Sequence, residues 1–276
     1  MTIAITIRTG SAVIFAADSK ITTRGIAGFE DNGEPRWQEQ TYDNATKVVH
    51  DRTHALMAMV AGSANIGQVS ATDFISTQSF GLGGRKEDQD DRINKLISAM
   101  VEQKRTYWST TQVPAENWPG PTLILATPGT WGEDNARIWR VELEGEGSKV
   151  SEILAEPGIK LEGAYDEVFC LLYGIHFDVL NGLCLELGIA KEDMWKAMRS
   201  LKVLRPYDKL NLWAMPVQDA IDMAVFLAMV QVEMDRFLPG TPACGGPIDV
   251  MVLQMAPQPG IVSYPGKTVH HPRAGG

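Results

Sequence analysis

The sequence predicts an α+β protein in which helices cover both outer faces of a mainly antiparallel double sheet. Three observations predict it. Strand-like and helix-like periodicities alternate in the order strands, two helices, strands, two or three helices, strand. The chain opens on two apolar strand patterns separated by turn residues. Finally, 276 residues that are 44% apolar and 21% charged can bury a sizeable core and are not disordered.

The elements follow in order. Ile3, Ile5 and Ile7 alternate with Ala4 and Thr6, a strand signal, and Thr9-Gly10-Ser11 is turn chemistry. The run from there to Ala17 is continuously apolar, as in a strand buried on both faces. Gly25 to Gln40 is polar, contains Gly28, Gly33 and Pro35, and reads as a loop. Lys47 to His50 and His54 to Ala61 read as a second strand pair around Asp51-Arg52. A helix is expected over Ala64 to Ile75 with Ser63 as its cap. Phe80 to Asp91, first glycine-rich and then charged, reads as an exposed loop.

Ile93, Leu96, Ile97, Met100 and Val101 then repeat at helical spacing, so a second helix runs to about Trp108. Strands are expected near Thr122–Thr127, Ala136–Leu143 and Lys149–Leu154, with turn residues between them. Helices are expected at Glu167–Leu187, Glu192–Ser200 and Pro216–Phe237, the last with proline in its first turn. Ile248 to Leu253 reads as a closing strand. Residues 1–256 form one domain in this reading, and 257–276 form an irregular tail.

Composition excludes some functions. A net charge of −9 argues against a nucleic-acid surface, which needs clustered Lys and Arg. Cys170, Cys184 and Cys244 are an odd number in a long chain, which fits a reducing cytoplasm better than a disulfide framework. No charged segment followed by an apolar one marks a signal peptide. The most apolar stretch, Ala220 to Val232, contains Asp222 and Gln231 and is too short for a membrane span. A cytoplasmic protein is expected.

Chemistry is expected at the start of the chain. A threonine hydroxyl is a poor nucleophile unless a base takes its proton. Removal of Met1 would give Thr2 its own base, a free α-amine with an ordinary pKa of about 7.7–8.0. Asp18 closes an apolar strand, and a carboxylate there is costly unless paired. Lys47, at the start of another strand, is the candidate partner. A lysine beside an N-terminal amine would also keep that amine unprotonated by like-charge repulsion.

Thr2 with its alternating strand, then AVIFAADSK, NATKVV and MVAGSANIGQ, resembles the proteasome β-subunit family of N-terminal nucleophile hydrolases. Its style is closest to the bacterial proteasome-related peptidases that lack a long propeptide. MPVQDAIDMAVFLAMVQVEMDRF and CGGPIDVMVL resemble the family's penultimate helix and closing strand. The resemblance runs from about Thr2 to Leu253 and implies a four-layer αββα sandwich. It implies Thr2 as nucleophile, Lys47 and Asp18 as the tuning pair, and Gly62 N–H as oxyanion donor. Val60 and Ala64 would shape the substrate pocket. The positions that steady the threonine amine in the family fall at Thr241, at Cys244 and within Glu162–Asp166, where no clear serine stands, so the supporting shell is altered.

The implied activity is a threonine-type endopeptidase working through an acyl-enzyme, without metal or cofactor. The implied partners are copies of itself in a ring, a peptide or unfolded-protein substrate, and an ATPase unfoldase, with no nucleic acid and no membrane. An amidase or peptide ligase with the same nucleophile, and a catalytically inactive ring subunit, are the alternatives. Gly81 to Lys86 lacks the spacing of a phosphate-binding loop and reads as a flexible connection. His270-His271 has no cysteine or carboxylate cluster beside it and reads as a solvated tail.

Overall fold

A computed structural model describes residues 2–29, 35–81, 86–111, 113–128, 136–200, 207–255 and 260–264. β1 (Ile3–Arg8) and β2 (Ala12–Asp18) form the expected opening hairpin. β3 (Ile21–Phe29) and β4 (Pro35–Tyr42) pair with each other as a separate ribbon. β5 (Val48–His50) and β6 (Met57–Gly62) follow, then the short pair β7 (Asn65–Ile66) and β8 (Val69–Ser70). Next come α1 (Ala71–Ser76) and α2 (Lys86–Trp108), and the strands β9 (Pro121–Thr127), β10 (Arg137–Glu142), β11 (Lys149–Glu152) and β12 (Gly158–Gly163). The chain continues with α3 (Asp166–Tyr173), α4 (Phe177–Glu186), α5 (Lys191–Ser200) and α6 (Val217–Asp235). β13 (Ile248–Gln254) and β14 (Gly260–Tyr264) complete the described elements.

The strands build two five-stranded sheets, ordered β12-β1-β2-β13-β14 and β11-β10-β9-β6-β5, with every pairing antiparallel. Successive side chains of a strand point to opposite faces, so each sheet feeds two cores. Val13, Phe15 and Met251 of the first sheet meet Met57, Met59 and Ile124 of the second in a central layer. The opposite face of the first sheet, with Ile3, Ile5 and Ile14, packs on α3 and α6 through Val168, Ala224 and Ala228. The outer face of the second sheet, with Ala58, Leu123 and Leu125, packs on α1 and α2 through Ile75, Ile93 and Met100. The result is the four-layer αββα sandwich. No single helix among the described residues is long and apolar enough to cross a membrane.

Several elements differ from the sequence reading. The polar stretch 25–40 lies largely in the β3–β4 ribbon, which is hydrogen-bonded into neither five-stranded sheet. The helix expected from Ala64 starts only at Ala71, and Ser63 is not its cap. Gly67 takes a positive φ of 64° in the turn between β7 and β8, and a Cβ there would lie 2.8 Å from Tyr107 Cβ. That turn breaks the helical path. Lys86 to Asp91 is the first part of α2 rather than loop, anchored by Asp90 to Arg137 at 2.7 Å. The single helix expected over Glu167–Leu187 is two, because Gly174 ends α3 in the left-handed region and donates to Cys170 O at 2.8 Å. Within the expected irregular tail, β14 pairs with β13. His270-His271 and residues 82–85 of the glycine-rich stretch lie outside the described residues.

Candidate active site

Asp18, the last residue of β2, is fully buried, so each of its oxygens needs partners. Oδ1 accepts Lys47 Nζ at 2.7 Å and the Ile3 N–H at 3.1 Å. Oδ2 accepts the Gly245 N–H at 2.9 Å and the Lys20 N–H at 3.3 Å. Lys47, just ahead of β5, is nearly as buried as its partner. Burial pushes the Asp18 carboxyl up and the Lys47 ammonium down; the ion pair and the backbone N–H groups act in the opposite sense on Asp18. With four donors aimed at it, Asp18 is the anion of the pair.

Thr2 is held next to this pair by its backbone. Its carbonyl accepts the Ala164 N–H at 2.7 Å, just past the end of β12. This approach needs Gly163, which has a φ of 83° and where a Cβ would stand 1.8 Å from Thr2 O. The Ile3 N–H bond to Asp18 ties the following residue to the ion pair. Thr2, Lys47, Val60, Gly62 and Ala64 then line one cleft of about 670 Å3. Gly62 ends β6 exposed and with a φ of 75°, so its backbone faces the cleft without a shielding side chain.

Of the other expected residues, Cys244 lies near the Asp18–Lys47 pair and two lie elsewhere. Thr241 and Asp166 line a second cavity of about 330 Å3, together with His176, Asp178 and Asp235. Burial, and then the neighbouring Asp178 charge, raise the Asp166 carboxyl. Cys244 is buried, and burial pushes its thiol far above the ordinary cysteine value, with Asp18 and Asp235 adding to the effect. It is therefore a neutral thiol and a poor nucleophile. Among the described residues, no three His, Cys, Asp or Glu side chains are grouped so as to hold a metal ion.

Two contributions are missed by reading the sequence. Asp235, at the end of α6, accepts the Cys244 N–H at 2.8 Å and Gln231 Nε2 at 2.9 Å. Gln231 in turn accepts the Glu167 N–H at 3.2 Å. This buried chain holds the segment from which Gly245 reaches Asp18. Its signal was present: Gln231 and Asp235 form a polar i,i+4 pair on the α6 face that also buries Ala224, Leu227 and Ala228. The second is Lys20, which lines the Thr2 cleft.

Fold and site together define an αββα protein with a buried Lys–Asp pair beside Thr2. Neither a family model nor a curated protein matches the chain. Among solved structures, a mutant of Anbu from Hyphomicrobium sp. strain MC1 is similar at 13% identity, covering 95% of this chain and 87% of that one with a TM-score of 0.49. The functional reading therefore rests on this chain's own residues.

Proposed function

We propose that this protein is a threonine-nucleophile hydrolase that cleaves amide bonds once Met1 is removed. The observation that carries the reading is the buried Asp18–Lys47 pair, 2.7 Å apart, in the cleft that Thr2 and Gly62 share. Thr2 Oγ attacks the scissile carbonyl while the Thr2 α-amine takes its proton. The Gly62 N–H donates to the developing oxyanion. The carbon–nitrogen bond breaks, the leaving amine takes the proton, and the acyl group stays on Oγ as an ester. Water, deprotonated by the same amine, then cleaves the ester and restores the hydroxyl. Lys47 repels a proton on the amine, and Asp18 holds Lys47 in place.

Peptides are the substrate class in this reading, in the cytoplasm and in a ring of identical subunits. Apolar side chains exposed around α4 and α6, such as Leu185, Phe226 and Phe237, support association. An ATPase unfoldase is the matching partner for unfolded-protein substrates.

Intact mass and covalent labelling test the proposal. The purified protein should lack Met1, and a threonine-directed β-lactone should add once to Thr2. Thr2→Ala should abolish the adduct. Retention of Met1 in every molecule, or labelling that survives Thr2→Ala, sinks the hydrolase reading.

A further inference from the structure

The cleft beside Thr2 holds a second cation that the mechanism does not use. Lys20 is only 9% exposed, yet among the described residues its Nζ has no hydrogen-bond or ion-pair partner. Its backbone N–H, not its ammonium, reaches Asp18. Asp18 Oδ1 is taken by Lys47 and Oδ2 by Gly245, so that buried carboxylate already has its donors. The stem of Lys20 lies along Gly245, where a Cβ would come within 3.0 Å of Lys20 Cδ and 3.8 Å of Nζ. The glycine thus leaves the space that lets this long side chain fold into the cleft. Asp73 also lines the cleft, but it is exposed and solvated.

Among the described residues Lys20 lines this cleft without a side-chain counter-charge, and a ligand that supplies the anion gains a charge-assisted hydrogen bond there. Among the described residues, the remaining polar lining, including Thr22, Thr46, Ser70 and Thr72, offers hydroxyls and no cation besides the already paired Lys47. We propose that Lys20 is the anion-binding residue of this cleft and takes a carboxylate of the substrate. The preferred substrates then carry an acidic side chain or a free terminal carboxylate near the bond that meets Thr2. The cleavage part rests on the hydrolase reading above; the binding part does not.

The test measures binding in a Thr2→Ala background, where turnover cannot interfere. Four fluorescein-labelled pentapeptides serve as probes in anisotropy titrations. One pair is an alanine peptide amide with a central aspartate, and its asparagine counterpart. The other pair is penta-alanine as free acid and as amide. A charge-assisted hydrogen bond should make the carboxylate member of at least one pair bind about tenfold tighter. The first pair reports an acidic side chain, the second a chain terminus. Lys20→Met should bring the ratio to about one, and Lys20→Arg should keep it. Lys20→Gln is measured alongside, so that a folding failure of the methionine variant leaves a result. Equal binding within both pairs, a preference that survives loss of the lysine, or no binding of any probe overturns the proposal. Turnover of the same peptides by the unsubstituted protein is scored separately. Binding preference without turnover counts against the hydrolase reading alone, and turnover without preference counts against Lys20 alone.

Discussion

Lys47→Met removes the side-chain cation from Asp18 while keeping most of the buried apolar stem. At 2.7 Å the pair has a gross attraction of about 6 kcal/mol at an effective dielectric constant near 20. Part of that is cancelled by the desolvation of Lys47 itself, which the substitution relieves. What remains is a carboxylate with no exposed surface and, among the described residues, three backbone N–H donors. Removing one partner of a buried pair typically costs about 3–5 kcal/mol, and the expected loss at pH 7 lies in that range. The loss should also depend on pH. Burial already raises the Asp18 carboxyl, and without Lys47 it rises further. A folded state that binds a proton more tightly than the unfolded one gains stability as pH falls. The deficit of Lys47→Met should therefore shrink as pH falls through the raised folded value of Asp18 toward the unfolded value of about 3.9. Urea unfolding of the parent, Lys47→Met, Asp18→Asn and the double variant measures both effects. The double variant should lose less than the sum of the singles. A loss below about 1 kcal/mol, or one that does not change with pH, would refute the claim that this is a buried, coupled pair.

Two further outcomes follow from the same geometry. Asp51 is fully buried; burial alone would raise its carboxyl, but the Thr53 hydroxyl and the N–H groups of Phe80, Leu56 and Ala55 outweigh it and hold the group below the ordinary range. Its contribution is thus complete above the unfolded value of about 3.9 and is lost as pH falls through the lower folded value. Asp51→Asn, which turns an acceptor into a donor facing Phe80 and Thr53, should cost about 2–3 kcal/mol at pH 6, with the gap closing in acid. A gap that stays constant from about pH 6 to pH 3 would contradict this account. Gly163→Ala should cost about 1–3 kcal/mol and weaken labelling at Thr2, because its Cβ would collide with the Thr2 carbonyl at a left-handed φ. Unchanged labelling would show that Gly163 does not position the nucleophile.

Much of the site was legible because its parts sit on strong local patterns. Asp18 stood out as a charge closing an unbroken apolar strand, and Lys47 as a cation opening another. The sandwich followed from the order of strand and helix periods. Misreadings fall where local chemistry was ambiguous. Polar residues of 25–40 look like a loop in sequence, but the two segments pair with each other in a ribbon hydrogen-bonded into neither five-stranded sheet, and local composition does not reveal that pairing. Ile159 and Leu161 alternate with Lys160 and Glu162, a strand pattern too short to decide without its partner β1.

The sequence by itself determined the opening hairpin, the five strands of the second sheet, the closing strand β13, the long helix α6 and Thr2, Asp18 and Lys47 as candidates, because periodicity and the cost of a lone buried charge act over a few residues. Only the tertiary structure decided how that charge is satisfied. Asp18 depends on Gly245, 227 residues away, and Gly245 on a segment held by Asp235. It also decided that Lys20, to which the sequence reading assigns no role, lines the Thr2 cleft with no side-chain partner among the described residues. Burial and pairing belong to the segments that fold onto a residue, and no local pattern specifies which those are.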